Sequence, residues 1–215
     1  KGYYCEIIII NDGSTDNTRD IVAQFINKFN ILKIKRIEIK LLENDKNSGK
    51  GFSVKRGVLN SSGMFVLFTD ADLSTPIDEF EKLYKSLKEG FFKIAIGSRD
   101  LPDSKIMQHQ NFLRESMGKL FNFFVRKIVK LNFKDTQCGF KLFKDEEAQK
   151  IFSKMKIDGF GFDVEILYIA KKLGFNVIEV PIKWQNNRDS KVNIFKDSLK
   201  MFLCLFQIKK LHNNI

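Results

Sequence analysis

Asp70-Ala71-Asp72 places two carboxylates one residue apart, directly after the apolar run Met64-Phe65-Val66-Leu67-Phe68-Thr69. At the C-terminal end of a buried strand, such a pair can aim oxygens at one point, a geometry suited to a hard divalent cation, Mg²⁺ or Mn²⁺, and through it to a diphosphate. Acidic pairs also occur in ordinary solvated turns, so the neighbouring segments decide. An earlier apolar run, Ile7-Ile8-Ile9-Ile10, ends in a second acidic turn, Asn11-Asp12-Gly13-Ser14-Thr15-Asp16. Two parallel strands with carboxylates at the same edge form the kind of crevice in which α/β proteins bind nucleotides.

The elements that must position these groups follow from periodicity. Cys5 to Ile10 reads as a strand. Ser14 or Asp16 caps a helix with Ile21, Val22, Phe25, Ile26 and Phe29 on one face. Ile37, Ile39 and Leu41 alternate with charges as a half-buried strand, and Asn47-Ser48-Gly49-Lys50-Gly51 opens a helix through Leu59. Thr75 caps the next helix, with Pro76 at its first position and Gly90 at its end, and Phe92 to Gly97 is a further strand. Beyond it come a long helix (112–130), a short strand (138–143), a helix ended by Gly174, a strand (176–184) and a last helix (194–211). Strand–helix alternation predicts an α/β fold with a mostly parallel sheet and helices on both faces. Because such folds rarely open on an unpartnered strand, a further strand and helix are expected ahead of Lys1.

Composition narrows the function classes. The formal net charge is +11 and the basic residues are spread throughout, a field that attracts nucleic acid, anionic lipid or phosphorylated ligands. Twenty-two Phe against one Trp and four Tyr suit, beside lysine, a membrane surface. Yet no apolar stretch reaches the about 20 residues needed to span a bilayer. Three dispersed cysteines form neither a disulfide framework nor a zinc site, and with only His109 and His212, histidine metal chemistry is not expected.

With these motifs assembled, the chain resembles the family-two inverting glycosyltransferases of the GT-A (Rossmann-like) fold. Gly97-Ser98-Arg99, the stretch from Asp135 to Phe143, Phe162-Asp163-Val164-Glu165 and Ser190-Lys191-Val192 narrow the likeness to the dolichyl-phosphate β-glucosyltransferase group and its prokaryotic polyprenyl-phosphate relatives. The resemblance implies inverting transfer of glucose from UDP-glucose to dolichyl or another polyprenyl phosphate, with Mg²⁺ or Mn²⁺ as cofactor. Asp12, Ser14, Lys50, Asp70 and Ala71 would bind the donor, with Asp70 and Asp72 on the metal. Arg99, Arg114, Asn122, Gln137 and Lys191 would hold the acceptor phosphate, and Asp135 would be the catalytic residue. Gly118 stands where relatives carry a hydroxyl four residues after Arg114. Residues 1–193 are read as the catalytic domain, divided into a nucleotide-sugar half (1–100) and an acceptor half (101–193). Residues 194–215 are read as an amphipathic or membrane-associating helix built on Met201 to Phe206 and flanked by Lys196, Lys200, Lys209 and Lys210. The implied location is the cytosolic face of the endoplasmic reticulum membrane. The wording from Asp70 to Pro76 keeps open a prokaryotic plasma membrane with undecaprenyl phosphate. The other readings are a different donor, such as GDP-mannose, and a basic nucleic-acid-binding module, which lacks any groove-reading motif.

Overall fold

The structure, a computed structural model, describes residues 2–108, 112–186 and 194–215, with the side chains of 112–114 and 194–197 outside the description. Its elements are β1 (Cys5–Asn11), α1 (Thr18–Ile31), β2 (Ile37–Glu43), α2 (Lys50–Leu59), β3 (Phe65–Thr69) and α3 (Phe80–Lys88). Then come β4 (Ile94–Ser98), β5 (Lys105–Gln108), α4 (Phe112–Phe124), β6 (Phe140–Lys144) and α5 (Asp145–Lys154). The chain continues through α6 (Phe162–Lys172), β7 (Val177–Pro181), β8 (Lys183–Gln185) and α7 (Ile194–Leu211). Pro76 stands just before a 3-10 turn, Ile77–Glu79, that leads into α3, so it precedes the helix instead of opening it. The long helix expected over 112–130 loosens into a π-type turn at Val125–Val129 and stops at Lys130, whose φ of 58° is left-handed.

Among the described residues, three of the five strand pairings are parallel: β1 with β2, β4 with β7, and β5 with β8. The strand expected over 176–184 divides at Ile182, pairing first with β4 and then with β5. The central sheet runs β3-β6-β4-β7, and β6 enters it antiparallel to both neighbours. That reversal matters for chemistry. It brings the segment before β6, Asp135 to Gly139, to the same edge as the C-terminal ends of β3 and β4, and Asp70 N donates to Gly139 O at 3.1 Å.

Alternation along the strands fills both faces of this sheet. Ile94, Ile96 and Phe143 face α5, α6 and α7, while Ala95, Phe140 and Leu142 pack with Leu83 and Leu87 of α3. Helix α6 is buried on all sides from Phe162 to Ala170, and the two charges within that run, Asp163 and Glu165, are buried with it. Cys204, Leu205 and Ile208 of α7 lie in the same core, with Met201, Phe202 and Leu211 packed against it.

Candidate functional site

The turn after β1 is organised around Asp12. Its Oδ1 accepts from Asn44 Nδ2 (2.7 Å) and Ser48 N (2.8 Å), and its Oδ2 accepts from Gly49 N (2.9 Å). Burial alone would raise this carboxyl. The hydrogen bonds from Ser48, Asn44, Gly49 and Ser53 outweigh burial and leave the pKa below its ordinary value. Asn44, itself buried, also donates to Ser53 Oγ (3.0 Å) and accepts from Arg56 Nη1 (2.7 Å). Asp12 therefore ties the β1 turn to the loop that opens α2. Ser14 is exposed beside it, its N–H held by Asn11 Oδ1 at 3.1 Å. The N-cap of α1 is Asn17, in place of the expected Ser14 or Asp16, and it makes no side-chain cap; Asp16, one residue earlier, accepts from the Thr18 N–H (3.0 Å) and hydroxyl (2.5 Å).

Lys50, in the first turn of α2, reaches across to Asp70 Oδ1 at 2.7 Å. Burial would lower the Lys50 pKa, but the charges of Asp163, Asp70 and Asp72 raise it overall. Asp70 sits against Gly139 so closely that a Cβ there would fall 2.0 Å from Asp70 Oδ2. Ala71 and Asp72 are exposed, and Asp72 Oδ1 accepts from Ser74 N at 2.9 Å across a turn in which Leu73 adopts φ 50°. Beneath this edge, Lys141 is sealed in the core, bonded to Asp163 and to Cys138 O (2.6 Å). Alternation along β6 turns Lys141 toward α6, and Asp163 in the first turn of α6 meets it.

The acceptor-half residues form a second cluster. Asp135 is 1% exposed and binds Arg99 through three donors: Nε at 2.6 Å, Nη2 at 2.9 Å and the backbone N at 3.1 Å. Burial pushes the Asp135 carboxyl up, and Arg99 more than reverses this, holding it below the usual range. Glu179 on β7 accepts from the backbone N–H groups of both Lys134 and Asp135 and so fixes the segment. The Arg99 guanidinium also lies over the Trp184 ring, 5.4 Å from its centroid.

Asn122 braces the loop before Asp135. It is buried, its Nδ2 donates to Lys134 O (2.8 Å) and its Oδ1 accepts from Thr136 (3.1 Å), so both polar ends serve the loop. Gln137 is half-buried, its N–H on Asp135 Oδ1 and its Nε2 on Met201 Sδ. Next to Arg99 and Asp135 in sequence, Asp100 and Lys134 line a cavity of about 310 Å³ with Lys119, Asn122 and Arg126. Lys191 and the Arg114 side chain lie outside the described residues.

Of the positioning groups, Glu165 stands out in the sequence with Asp163 as a pair at a helix start, suited to capping or to pairing with Arg99 or Lys191, whereas Asn44, Glu179 and Lys141 were not expected from sequence. Polar residues in or beside strands are ordinarily solvated, and only the pairing of distant segments shows Asn44 and Lys141 to be buried.

The carboxylate after β1 lies beyond a two-stranded sheet, β1 with β2, separate from the central sheet that carries Asp70 and the Arg99–Asp135 pair, and the loop opening α2 joins the two through Asp12 and Lys50. Comparison with known proteins gives the class: residues 1–152 match Glycosyl transferase family 2, and the chain belongs to that family. Among curated relatives, it is 38% identical over 208 residues to a dolichyl-phosphate β-glucosyltransferase of Dictyostelium discoideum, covering 95% of this chain and 62% of that protein. It is 32% identical over 201 residues to the dolichyl-phosphate β-glucosyltransferase of Homo sapiens, covering 91% of this chain and 60% of that one. The chain thus spans about three-fifths of the length of these relatives. The fold matches that of glucosyl-3-phosphoglycerate synthase from Mycobacterium tuberculosis, solved with Mn²⁺, UDP and glucosyl-3-phosphoglycerate, at a TM-score of 0.64 and 17% identity, covering 97% of this chain and 69% of that one.

Proposed function

We propose that this chain is the catalytic part of a metal-dependent inverting transferase that moves glucose from UDP-glucose to dolichyl or another polyprenyl phosphate. The observation that carries the reading is the similarity to dolichyl-phosphate β-glucosyltransferases along 95% of the chain, through both clusters of the site. In the reaction, a phosphate oxygen of the acceptor attacks the anomeric carbon from the face opposite the diphosphate. The bond from that carbon to the diphosphate oxygen breaks, and the electron pair leaves with UDP.

Asp70 and Asp72 fit a divalent cation. Both offer hard oxygens, and Asp70 already holds a positive charge, the Lys50 ammonium. Among the described residues no cluster of three or more His, Cys, Asp or Glu is shaped for a metal, so the remaining ligands would come from diphosphate and water. Mg²⁺ and Mn²⁺ use that arrangement at phosphate sites. The bound ion would supply charge neutralisation to the leaving diphosphate. Asp12 shapes the nucleoside pocket with Ser14, and Lys50 is within reach of the same phosphates.

Asp135 is assigned an orienting role. A carboxylate held below its usual pKa by Arg99 is a weak base, and a phosphate monoester with a second pKa near about 6 is already nucleophilic at neutral pH. Asp135 fixes the Arg99 fork. Arg99, Arg114 and Lys191, with the cations around the cavity, form the acceptor side.

Binding of UDP, measured calorimetrically with Mn²⁺ and with chelator, tests the donor site. Affinity at least about tenfold tighter with metal is expected, and Asp72→Asn should erase the difference by removing one charged oxygen ligand. Equal affinity under both conditions would sink the reading. A panel of UDP-glucose and GDP-mannose with a lipid phosphate then identifies the donor.

We propose that membrane contact is made by the outward side of α7. Phe202, expected to face lipid, packs edge-to-face on Phe124 with centroids 4.9 Å apart. Leu199, Leu203 and Phe206 of α7 are instead exposed, and Leu120 and Phe123 of α4, the helix it packs on, are exposed too. No helix among the described residues is long and apolar enough to cross a membrane; the contact we propose for α7 is interfacial, at the cytosolic face of the endoplasmic reticulum. Lys200, Lys209 and Lys210 are exposed on α7, each worth about 1 kcal/mol near an anionic surface. Sedimentation with anionic liposomes at low salt is expected. Leu203→Asp with Phe206→Asp should abolish it while leaving the circular dichroism spectrum unchanged, since both side chains are more than half exposed.

A further inference from the structure

The loop that opens α2 is braced from behind by a segment that belongs to neither cluster of the site. Gly49 and Gly51 pack directly on residues 157–158: a Cβ on Gly49 would fall 2.4 Å from Asp158 O, and one on Gly51 would fall 2.4 Å from Ile157 O. Phe52 N donates to the same Asp158 carbonyl at 3.2 Å. The segment is in turn held by Glu165, which is fully buried in α6. Glu165 Oε1 accepts from Lys156 N (2.8 Å) and Oε2 from Ile157 N (2.9 Å). The carboxylate has one more contact, His212 Nε2 at 2.7 Å, just past the end of α7 and itself 1% exposed. Helix α7 closes on the same spot elsewhere: a Cβ on Gly161 would fall 2.4 Å from Cys204 Sγ, and Lys156 Nζ reaches Leu211 O at 3.2 Å.

From these contacts we infer that Glu165 is a positioning residue for nucleotide-sugar binding and that His212 makes the docking of α7 part of the donor site. The route is contiguous. His212 holds Glu165, Glu165 fixes the amides of residues 156 and 157, and their carbonyl side shapes Gly49 to Gly51. Gly49 N then holds Asp12, and Lys50 holds Asp70. A buried carboxylate with three donors has no freedom to rearrange, so an error at Glu165 is passed to the loop instead of being absorbed. The inference rests on the proposed function in taking this loop as the nucleotide side. It adds that a helix bearing the lipid-facing side chains is mechanically joined to donor affinity.

Glu165→Gln tests it, because the amide keeps the shape but turns an N–H toward groups that donate. In the folded variant the Kd for UDP with Mn²⁺ should rise about tenfold, equivalent to about 1.4 kcal/mol. The KM for lipid phosphate should stay within about twofold, a split that a loss of general stability does not produce. Amide hydrogen exchange, which needs no ligand, should show lost protection at residues 49–53 with β4 and β6 unchanged. An unchanged Kd with unchanged loop protection overturns the inference. If Glu165→Gln does not fold, His212→Leu and His212→Gln decide. Loss of loop protection in the first and its retention in the second, which keeps an N–H donor, supports the coupling; equal behaviour overturns it. If the parent protein binds no UDP, the proposed function fails, while the exchange comparison still decides whether Glu165 sets the loop.

Discussion

Asp135→Asn is expected to lower the rate of transfer by about 100-fold, the usual consequence of misplacing a reacting group by about an ångström, while leaving UDP affinity unchanged. Asparagine cannot accept the Nε and Nη2 bonds of Arg99 together with the two backbone N–H groups that the carboxylate now holds. The guanidinium fork turns away from the acceptor side. Removing one partner of a buried ion pair also destabilises the fold, here by about 3 kcal/mol, at the low end because the Arg99 side chain remains 27% exposed. The pH dependence has a definite sign. Arg99 depresses the Asp135 pKa in the folded state, so the stabilisation is full above the unfolded carboxyl value of about 3.9 and is lost as pH falls through the depressed value. The parent should therefore lose stability more steeply than the mutant on acidification below about pH 4. Residual mutant activity should follow ionisation of the acceptor phosphate, rising through about pH 6. Complete loss of transfer at every pH, with UDP binding intact, would instead make Asp135 the base.

The sequence carried the chemistry-bearing turns because they are local. The acidic turns after β1 and β3 sit where apolar runs stop, and run length and turn residues suffice to find them. The alternation of strands and helices likewise placed most of the main elements, but it missed β5 (Lys105–Gln108) and the core helix α5 (Asp145–Lys154). The antiparallel entry of β6 was not legible, because five residues with no hairpin turn on either side do not declare a direction. Nor was the fate of Met201 to Phe206. A six-residue apolar run fits a lipid-facing helix and a core helix equally well, and only the packing of Cys204, Leu205 and Phe202 inward, with Leu203 and Phe206 outward, divides it. The buried charges were hidden for another reason. Lys141 looks like a solvated residue in a lysine-rich chain and Glu165 like a helix cap or a partner of Arg99 or Lys191, while their actual partners, Asp163 and His212, lie 22 and 47 residues away. Glu179, 44 residues from Asp135, is hidden in the same way.

Gly139 is the residue whose importance follows most directly from the folded geometry, and its replacement gives the other large expected effect. Nothing about its φ demands glycine; the demand is for space. An alanine methyl would fall within 2.0 Å of Asp70 Oδ2 and 2.4 Å of its Cγ, far inside van der Waals contact. Backbone adjustment is restrained on both sides, since Gly139 O accepts from Asp70 N and the next residue, Phe140, pairs with Thr69 in the β3–β6 ladder. The carboxylate of Asp70, at the end of a short and partly exposed side chain, is what moves. Its displacement breaks the 2.7 Å contact with Lys50 and takes away one of the two carboxylates proposed for the cation. Gly139→Ala should therefore cost only about 1–3 kcal/mol in stability, the range for overpacking, yet lower kcat/KM by about 100-fold. The metal dependence of UDP binding should weaken in parallel. The pairing of Gly139→Ala with Asp70→Asn separates geometry from bulk. If the glycine acts only through Asp70, the double mutant should lose little beyond the worse single mutant, because interacting residues are non-additive. Full additivity would show that the methyl group disturbs something other than the Asp70 carboxylate.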